Sequence, residues 1–369
     1  MYSLRKNQSL EMTIKLGING FGRIGKIAFM QAIENPNFTV VAINARRTPK
    51  NIVDILKYDT NYGKFRHSIS YDDANVYVDN QPIRIFSYDT PKDIPWSEVK
   101  AHTILECTGK FLKKEEAQAH LIGGAKKVVI SAPAKSDDVP TFVYGVNEDT
   151  YTDDMQVVSA ASCTTNCIAP VLKVINDNFG IEVGSMITVH AMTGSQAVVD
   201  AFSKKDIRAG RTASCNLIPA TTGASKAIKK VIPELKGKLS GTSVRVPVPT
   251  VSYAYISCRL KNEATFDEVC NAIANASENE LRGILNYTND PVVSSDFIED
   301  YHASIVDIEI SKQAMNDLAT DYAKDFISIA TWYDNEWGYV AQLLRLAMHI
   351  NGLNRKTALG YYRNLNPTN

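Results

Sequence analysis

Residues 13–35, TIKLGINGFGRIGKIAFMQAIEN, fall into three consecutive pieces. An apolar strand runs into glycine, a turn carries Gly20, Gly22 and Gly25, and Ile24, Ala28 and Ala32 then recur at helical spacing. FTVVAIN at 38–44 supplies a second continuous apolar strand. Further along, AHTILECTG (101–109), AKKVVISAP (125–133) and PTFVYGVN (140–147) repeat the strand-then-turn signature, with a helical KKEEAQAHLIGGA (113–125) linking the first two. Alternation of this kind predicts a mostly parallel sheet covered by helices.

That setting gives weight to Gly20-Phe21-Gly22-Arg23-Ile24-Gly25. A lone GxGxxG arises by chance, but here it leaves a strand and opens a helix, as a Rossmann-type dinucleotide fingerprint requires. Gly20 permits the tight turn, Gly22 lets backbone amides approach a pyrophosphate, and Gly25 lets the helix pack close to the strand. The helix N-terminus then receives the phosphates. An acid should end the second strand and bond the ribose hydroxyls of NAD. Asn44-Ala45-Arg46-Arg47 stands there instead. Ala45 removes a carboxylate that would repel a 2′-phosphate, and Arg46 or Arg47 can clasp one. The expectation is NADP over NAD; the alternative is that both arginines are solvated loop residues.

Composition bounds the rest. At 369 residues, 44% hydrophobic and 22% charged, the chain has material for two globular domains. Lys+Arg and Asp+Glu are both 40, so no net charge recruits nucleic acid or an anionic membrane. No apolar run approaches the ~18 residues of a membrane span. MYSLRKNQSLE at 1–11 lacks an apolar secretory core and reads as an unstructured extension, with Arg5 and Lys6 only a faint import signal. The 6 scattered cysteines point to reduced thiols and a cytoplasmic setting, and the CxxxC of Cys163 and Cys167 lacks metal-ligand spacing, so no metal is expected.

After about residue 160 the texture changes. VGSMITVHA (183–191), TSVRVPVPTVSYAYISCRL (242–260), ASIVDIEI (303–310) and FISIATWYD (326–334) are β-rich, while ASKAIKKVIPELKGKL (224–239) and TFDEVCNAIANAS (265–277) are helical. This predicts an α+β domain with a mainly antiparallel sheet. Between His190 and Pro219 lies a long polar stretch, a length usually reserved for function or subunit contact.

QVVSAASC (156–163) is a strand entering a hydroxyl-rich turn, and CTTNCIAPVLKVINDNFG (163–180) continues as a helix. Cys163 therefore sits at a helix N-terminus, where dipole and free amides favour thiolate. Cys167, one turn deeper, reads as a buried small hydrophobe. A thiol nucleophile needs an acid/base partner, and His190, ending a strand, is the best of the six histidines. A histidine in that place is more often structural; beside an activated cysteine and a dinucleotide domain the reading reverses.

At these residues the chain resembles phosphorylating glyceraldehyde-3-phosphate dehydrogenase, from Thr13 to about Asn351. The resemblance rests on GINGFGRIG, ASCTTNC, TVHAMTGSQ, SKKD, TTGASKA, RVPVPTVS and WYDNEWGY. It implies a thiohemiacetal and then a thioester on Cys163, His190 as base, and cleavage by inorganic phosphate to 1,3-bisphosphoglycerate. It further implies that Ser162, Thr164, Thr222 and Gly223 line the attacking-phosphate site. Thr193 and Arg245 bind the phosphate of glyceraldehyde 3-phosphate, and Arg211 joins the phosphate-binding set. Arg23 and Ile24 supply pyrophosphate contacts, Ser131 continues the nucleotide pocket, and Asn335 orients the nicotinamide amide. A homotetramer and a role in glycolysis or gluconeogenesis follow from the same resemblance.

The implied organisation is a nucleotide-binding domain over 12–162, completed by a C-terminal helix at about 335–352, and a catalytic domain over 163–334. Extensions at 1–11 and 353–369 flank them, the latter expected only to be surface-exposed. Departures from the family pattern are Ala45 for Asp, Ala201-Phe202 before SKKD, Asp89 where arginine is common, and Met192 where tyrosine is common. Two other readings stay open: an erythrose-4-phosphate dehydrogenase, and a non-catalytic nucleotide-binding regulatory protein.

Overall fold

The computed structural model describes residues 13–203, 206–316 and 324–363. The expectations for 1–11, for Lys204 and Lys205 of SKKD, and for 364–369 lie outside the described residues.

The opening stretch forms β1 (Ile14–Asn19), the glycine turn and α1 (Arg23–Glu34), followed by β2 (Phe38–Asn44). Next come α2 (Pro49–Lys57), a short hairpin of β3 (Tyr58–Asp59) and β4 (Gly63–Lys64), then β5 (Ile69–Tyr71), β6 (Asn75–Val78) and β7 (Gln81–Phe86). The series closes with β8 (Thr103–Glu106), α3 (Lys114–Gln118), β9 (Lys127–Ile130) and β10 (Val157–Ser159). The sheet order is β10-β9-β8-β1-β2-β7-β6-β5, parallel from β10 to β7 and antiparallel beyond. Leu16 and Ile18 of central β1 are fully buried, which is why the strand reads as a continuous apolar run. Chain order reverses around β1, so the crevice at its carboxyl end is the natural ligand site of such a sheet.

The second half begins with α4 (Cys163–Phe179), β11 (Ile181–Ala191), β12 (Ile218–Ala220) and α5 (Ala224–Val231). It continues through β13 (Leu239–Val246), β14 (Ser252–Leu260), α6 (Phe266–Glu278), β15 (Leu285–Thr288), β16 (Ser304–Asp307), α7 (Ile308–Asn316) and β17 (Phe326–Tyr333). Its sheet, β12-β13-β11-β14-β17-β16-β15, is mainly antiparallel, with parallel pairs β11/β13 and β15/β16. Cys167, Ile168, Val171 and Ile175 of α4 pack in one core with Ile256 and Ile329 of the sheet. Pro247 and Pro249 interrupt the long run at 242–260, splitting it into β13 and β14, because proline cannot donate to a ladder.

Three expectations are corrected. PTFVYGVN is not a strand: Thr141 makes only an isolated bridge to Ser159. Phe142 and Tyr144 enter the first core while Val143 enters the second, so the apolar run is a buried crossing between cores. ASIVDIEI is strand only through Asp307, whose carboxylate accepts from Ile310 N at 3.0 Å and starts α7. The C-terminal stretch forms α9 (Arg355–Arg363), with Ala358, Leu359 and Tyr362 buried, so it is not simply surface. It covers α8 (Trp337–Ile350), the helix that leaves the second half and lies on α1, where Gln31 Nε2 donates to Trp337 O at 2.8 Å.

Candidate active site

Ala161, buried with φ +58, turns the chain sharply from β10 into α4. Left-handed backbone at a non-glycine residue stores strain of the kind found at working sites. Ser162 then caps α4, its hydroxyl accepting from Thr165 N at 3.1 Å, and Cys163 is the first helical residue. From the opposite side β11 brings His190, whose Nε2 lies 3.4 Å from Cys163 Sγ. The parallel register of β11 and β13 sets His190 directly beside Arg245. Arg245 Nη1 reaches within 2.6 Å of His190 Nδ1, and that nitrogen also lies 2.7 Å from Ala191 O. Tyr333 closes the floor: its hydroxyl bonds Thr164 Oγ1 at 2.9 Å, and its ring meets the imidazole edge-on.

Electrostatics departs from the expectation of a ready thiolate. Burial pushes the Cys163 thiol up, and this outweighs the opposing pull of the Arg245 charge and of the Thr164 amide and hydroxyl. Burial, then Arg245, pushes His190 down to about 4. Burial thus acts against the charged form of both groups. Cys167 is fully buried, with Ser304 and Thr331 hydroxyls 3.8 Å from its sulfur, and burial raises it to about 12. It is the inert member of the pair.

The glycine turn fits a dinucleotide. Gly20 has φ +94, and a Cβ there would lie 2.8 Å from Thr108 N. A Cβ on Gly22 would meet nothing of the protein within 4 Å, so that glycine leaves room for something the chain does not itself provide. No side chain caps α1 at Gly22, which leaves the first amides of the helix for an anion. Ile24 is half-buried beside them. Arg23 turns its side chain elsewhere, forking onto Glu336 and reaching Asp59 Oδ2 at 2.5 Å. Ser131, at the end of β9, donates through Oγ to Glu106 O at 3.0 Å. Asn335 Oδ1 accepts from Ser252 Oγ at 2.9 Å, and Ser252 Oγ accepts from Ala191 N at 3.1 Å. Asn335 is thus wired through Ser252 to the residue after His190.

Ala45 is buried, while Arg46 and Arg47 are exposed at the end of β2. Arg46 Nε pairs with Asp89 at 2.7 Å. The departure at residue 89 therefore neutralises one of the two arginines; no ion pair engages Arg47 among the described residues.

The remaining predicted residues are more dispersed. Half-buried Thr222 accepts from Ala224 N at 3.2 Å, and exposed Gly223 begins α5. Thr193 Oγ1 is exposed and bonds Ser195 and Gln196 within its own loop. Arg211 is held by Asp200 at 3.0 Å, away from the thiol, so the structure does not join it to the Cys163 cluster. Sequence reasoning missed Tyr333, Asp334 and Glu336, although all three flank Asn335 in WYDNEWGY. It also missed a buried chain under the glycine turn, in which Asn44 donates to Asn19, Asn19 to Glu106, and His120 lies 3.0 Å from Glu106. Strand-end polar residues bracketing a glycine turn were the available signal.

Comparison with known proteins matches two family models. Residues 14–114 match "Glyceraldehyde 3-phosphate dehydrogenase, NAD binding domain", and residues 162–335 match "Glyceraldehyde 3-phosphate dehydrogenase, C-terminal domain". A glyceraldehyde-3-phosphate dehydrogenase of Phytophthora infestans is 49% identical over 338 residues, covering 91% of this chain and 99% of its own. Glyceraldehyde-3-phosphate dehydrogenase 2 of Mucor circinelloides f. lusitanicus is 49% identical over 336 residues, 91% and 96% of the two chains. The Neurospora crassa glyceraldehyde-3-phosphate dehydrogenase is 47% identical over 348 residues, 94% and 100%.

Proposed function

The chain belongs to the glyceraldehyde 3-phosphate dehydrogenase family, a family of NAD(P)-dependent oxidoreductases, and from that premise we propose that it converts D-glyceraldehyde 3-phosphate and inorganic phosphate to 1,3-bisphosphoglycerate. We propose further that it uses NADP in preference to NAD or accepts both, and works as a cytoplasmic homotetramer. The observation that carries the catalytic reading is the 3.4 Å approach of Cys163 Sγ to His190 Nε2 at the N-terminus of α4.

In this reading Cys163 attacks the aldehyde carbon, its proton passing by way of His190 Nε2 to the aldehyde oxygen, and a thiohemiacetal forms. His190 then takes the hydroxyl proton as the carbon is oxidised to a thioester. The dinucleotide, held at the Gly20–Gly25 turn and by Asn335, supplies the hydride acceptor. Arg245 and Thr193 hold the substrate phosphate; Ser162, Thr164, Thr222 and Gly223 hold the attacking phosphate, which cleaves the thioester. The cofactor preference rests on Ala45 and Arg47, with Arg46 shared with Asp89. Oligomerisation is supported by the apolar tip of the 192–217 loop, where Val198, Phe202 and Ile207 are 80%, 89% and 80% exposed. Among the described residues no helix is long and apolar enough to cross a membrane, and one relative, from Craterostigma plantagineum, carries "cytosolic" in its name.

The test is initial rate with glyceraldehyde 3-phosphate, titrating inorganic phosphate, NAD and NADP separately. Turnover that does not need phosphate would instead favour a hydrolytic sugar-phosphate dehydrogenase such as one acting on erythrose 4-phosphate. No turnover with any of these substrates would leave the regulatory reading.

A further inference from the structure

Two residues of the second half hold left-handed backbone that side chains disfavour: Val251 at φ +65 and Glu299 at φ +68. Val251 is branched at Cβ, which makes the conformation an outlier, and it is buried in one cluster with Phe297 and Ile305. Strain of this kind persists only where the surroundings over-determine the backbone. Both residues are tied to one carboxylate. Thr250 Oγ1, beside Val251, donates to Asp334 Oδ1 at 3.1 Å, and Glu299 N donates to Asp334 Oδ2 at 3.1 Å.

Asp334 is fully buried. Glu336 N and Trp337 N also reach its Oδ1 at 2.9 Å, and the Tyr62 hydroxyl lies 3.0 Å from Oδ1 and 3.2 Å from Oδ2. Burial nevertheless pushes the carboxyl up to about 6, so its charge is held at a cost to the fold that these donors only partly offset. A charge kept on such terms one residue before Asn335 points to the site rather than to stability. The tie also reaches Asn335 itself. Ser252, on the other side of Val251, accepts from Ala191 N and donates to Asn335 Oδ1 at 2.9 Å. With that oxygen engaged, the amide has its NH2 left for a ligand.

We infer that Asp334 is a positioning residue for Asn335: its carboxylate pins the strained turns at Val251 and Glu299, and the Val251 turn aims Ser252 so that the Asn335 NH2 is left to take the carbonyl of the nicotinamide amide. The inference rests on the reading that Asn335 orients that amide. It goes further by placing the control of the Asn335 side chain in a buried carboxylate and in the two strained backbone positions that hang on it.

The experiment measures dissociation constants by calorimetry on the full chain. The probes are NAD and NADP, and ADP-ribose and 2′-phospho-ADP-ribose, which keep the adenosine and pyrophosphate but lack nicotinamide. Asp334→Asn keeps the shape, leaves one oxygen to accept, and sets an NH2 against the Glu299 amide. It should weaken the dinucleotides about tenfold, the worth of one hydrogen bond to a buried group, and leave the two fragments within about twofold. Thr250→Val unhooks only the Val251 side and decides the matter if Asp334→Asn does not fold. It should weaken the dinucleotides about threefold with the same selectivity. Equal losses for dinucleotide and fragment, or no loss for either, overturn the inference, because a merely structural carboxylate would not distinguish them. Asn335→Ala separates the two readings. A selective loss there without one in Asp334→Asn or Thr250→Val sinks the inference alone; no selective loss in Asn335→Ala sinks the functional reading of Asn335 and the inference with it.

Discussion

Arg23 and Glu336, 313 residues apart, close a two-pronged ion pair, with Nε to Oε1 at 2.8 Å and Nη2 to Oε2 at 2.6 Å. Arg23 is the first residue of the helix behind the glycine turn, and Glu336 follows Asn335. Tyr62 adds a hydroxyl to Glu336 Oε2 at 3.2 Å, and Asp334 accepts the Glu336 and Trp337 amides at 2.9 Å. The pair therefore ties the phosphate end of the proposed cofactor site to its nicotinamide end.

Glu336→Gln keeps the shape and removes the charge. With Arg23 about half exposed and still held by Asp59, the stability loss should be only about 1–2 kcal/mol, read by urea unfolding. The Michaelis constant for the dinucleotide should rise about threefold to tenfold, roughly 1 kcal/mol in binding. Unchanged cofactor kinetics would reduce the pair to a structural brace.

The two cysteines of α4 should separate cleanly. Cys163→Ser is expected to cut turnover by at least about 10³-fold while leaving dinucleotide binding intact, because a hydroxyl beside a neutral imidazole is a far weaker nucleophile. Cys167→Ala should keep turnover and lose about 1–2 kcal/mol of stability, the cost of a small cavity in a fully buried site. Turnover in Cys163→Ser near the wild-type level would end the thioester reading.

On the proposed reading, cofactor choice turns on Ala45, Arg46 and Arg47, with Asp89 competing for Arg46. Ala45→Asp should shift preference from NADP toward NAD by about tenfold or more, since it restores a ribose acceptor and repels a 2′-phosphate. Asp89→Asn should improve NADP use by releasing Arg46, and modestly, because a pair this exposed contributes at most about 1 kcal/mol. Rate ratios for the two dinucleotides on both variants decide the matter, and an NAD preference in wild type makes Arg46 and Arg47 ordinary surface residues.

The fold was legible because its decisive signals are local. A strand, a glycine turn and a helix in one 23-residue stretch select the parallel sheet, and Cys163 at a helix start follows from the hydroxyl-rich turn before it. Contacts made across the fold were not legible. Nothing near Asp89 announces that it meets Arg46, and the β11/β13 register that sets His190 beside Arg245 exists only once the sheet forms. Burial is equally non-local: the helix dipole argued for a thiolate at Cys163, and the enclosing residues reverse the balance. PTFVYGVN misled because an apolar run records burial without recording whether a ladder or two separate cores supply it.

His190 also links stability to pH. Its folded value, about 4, lies below the unfolded value of 6.5, so below 6.5 the unfolded chain binds the extra proton first. Its contribution is fully present above pH 6.5 and is lost as pH falls through the window down to about 4. The slope in that window is at most about 1.4 kcal/mol per pH unit for one proton. His190→Gln should flatten the acid side of the stability profile relative to wild type. Identical slopes for the two proteins would mean that the ring charges freely in the folded state.

The C-terminal helix offers a test remote from the chemistry. Arg345 of α8 is fully buried, donating through Nη2 to Gly283 O at 2.8 Å and through Nη1 to Gln342 Oε1 at 2.9 Å, and the Tyr362 ring covers its guanidinium at 4.3 Å. Tyr362 also meets the Tyr301 ring at 5.1 Å and lies in one buried cluster with Phe29 and Ala32 of α1, so α9 packs with residues from both halves of the chain. Tyr362→Ala removes a buried aromatic and exposes a buried cation, and should cost about 3–5 kcal/mol. Tyr362→Phe should be nearly neutral, because the hydroxyl makes no hydrogen bond of good geometry among the described residues, Asn35 being the polar side chain beside it. Turnover per folded molecule should be unchanged in both. A large loss in Tyr362→Phe would reveal a hydrogen bond that the packing does not show, and a loss of turnover at full stability would mean that α9 reaches the Cys163 site.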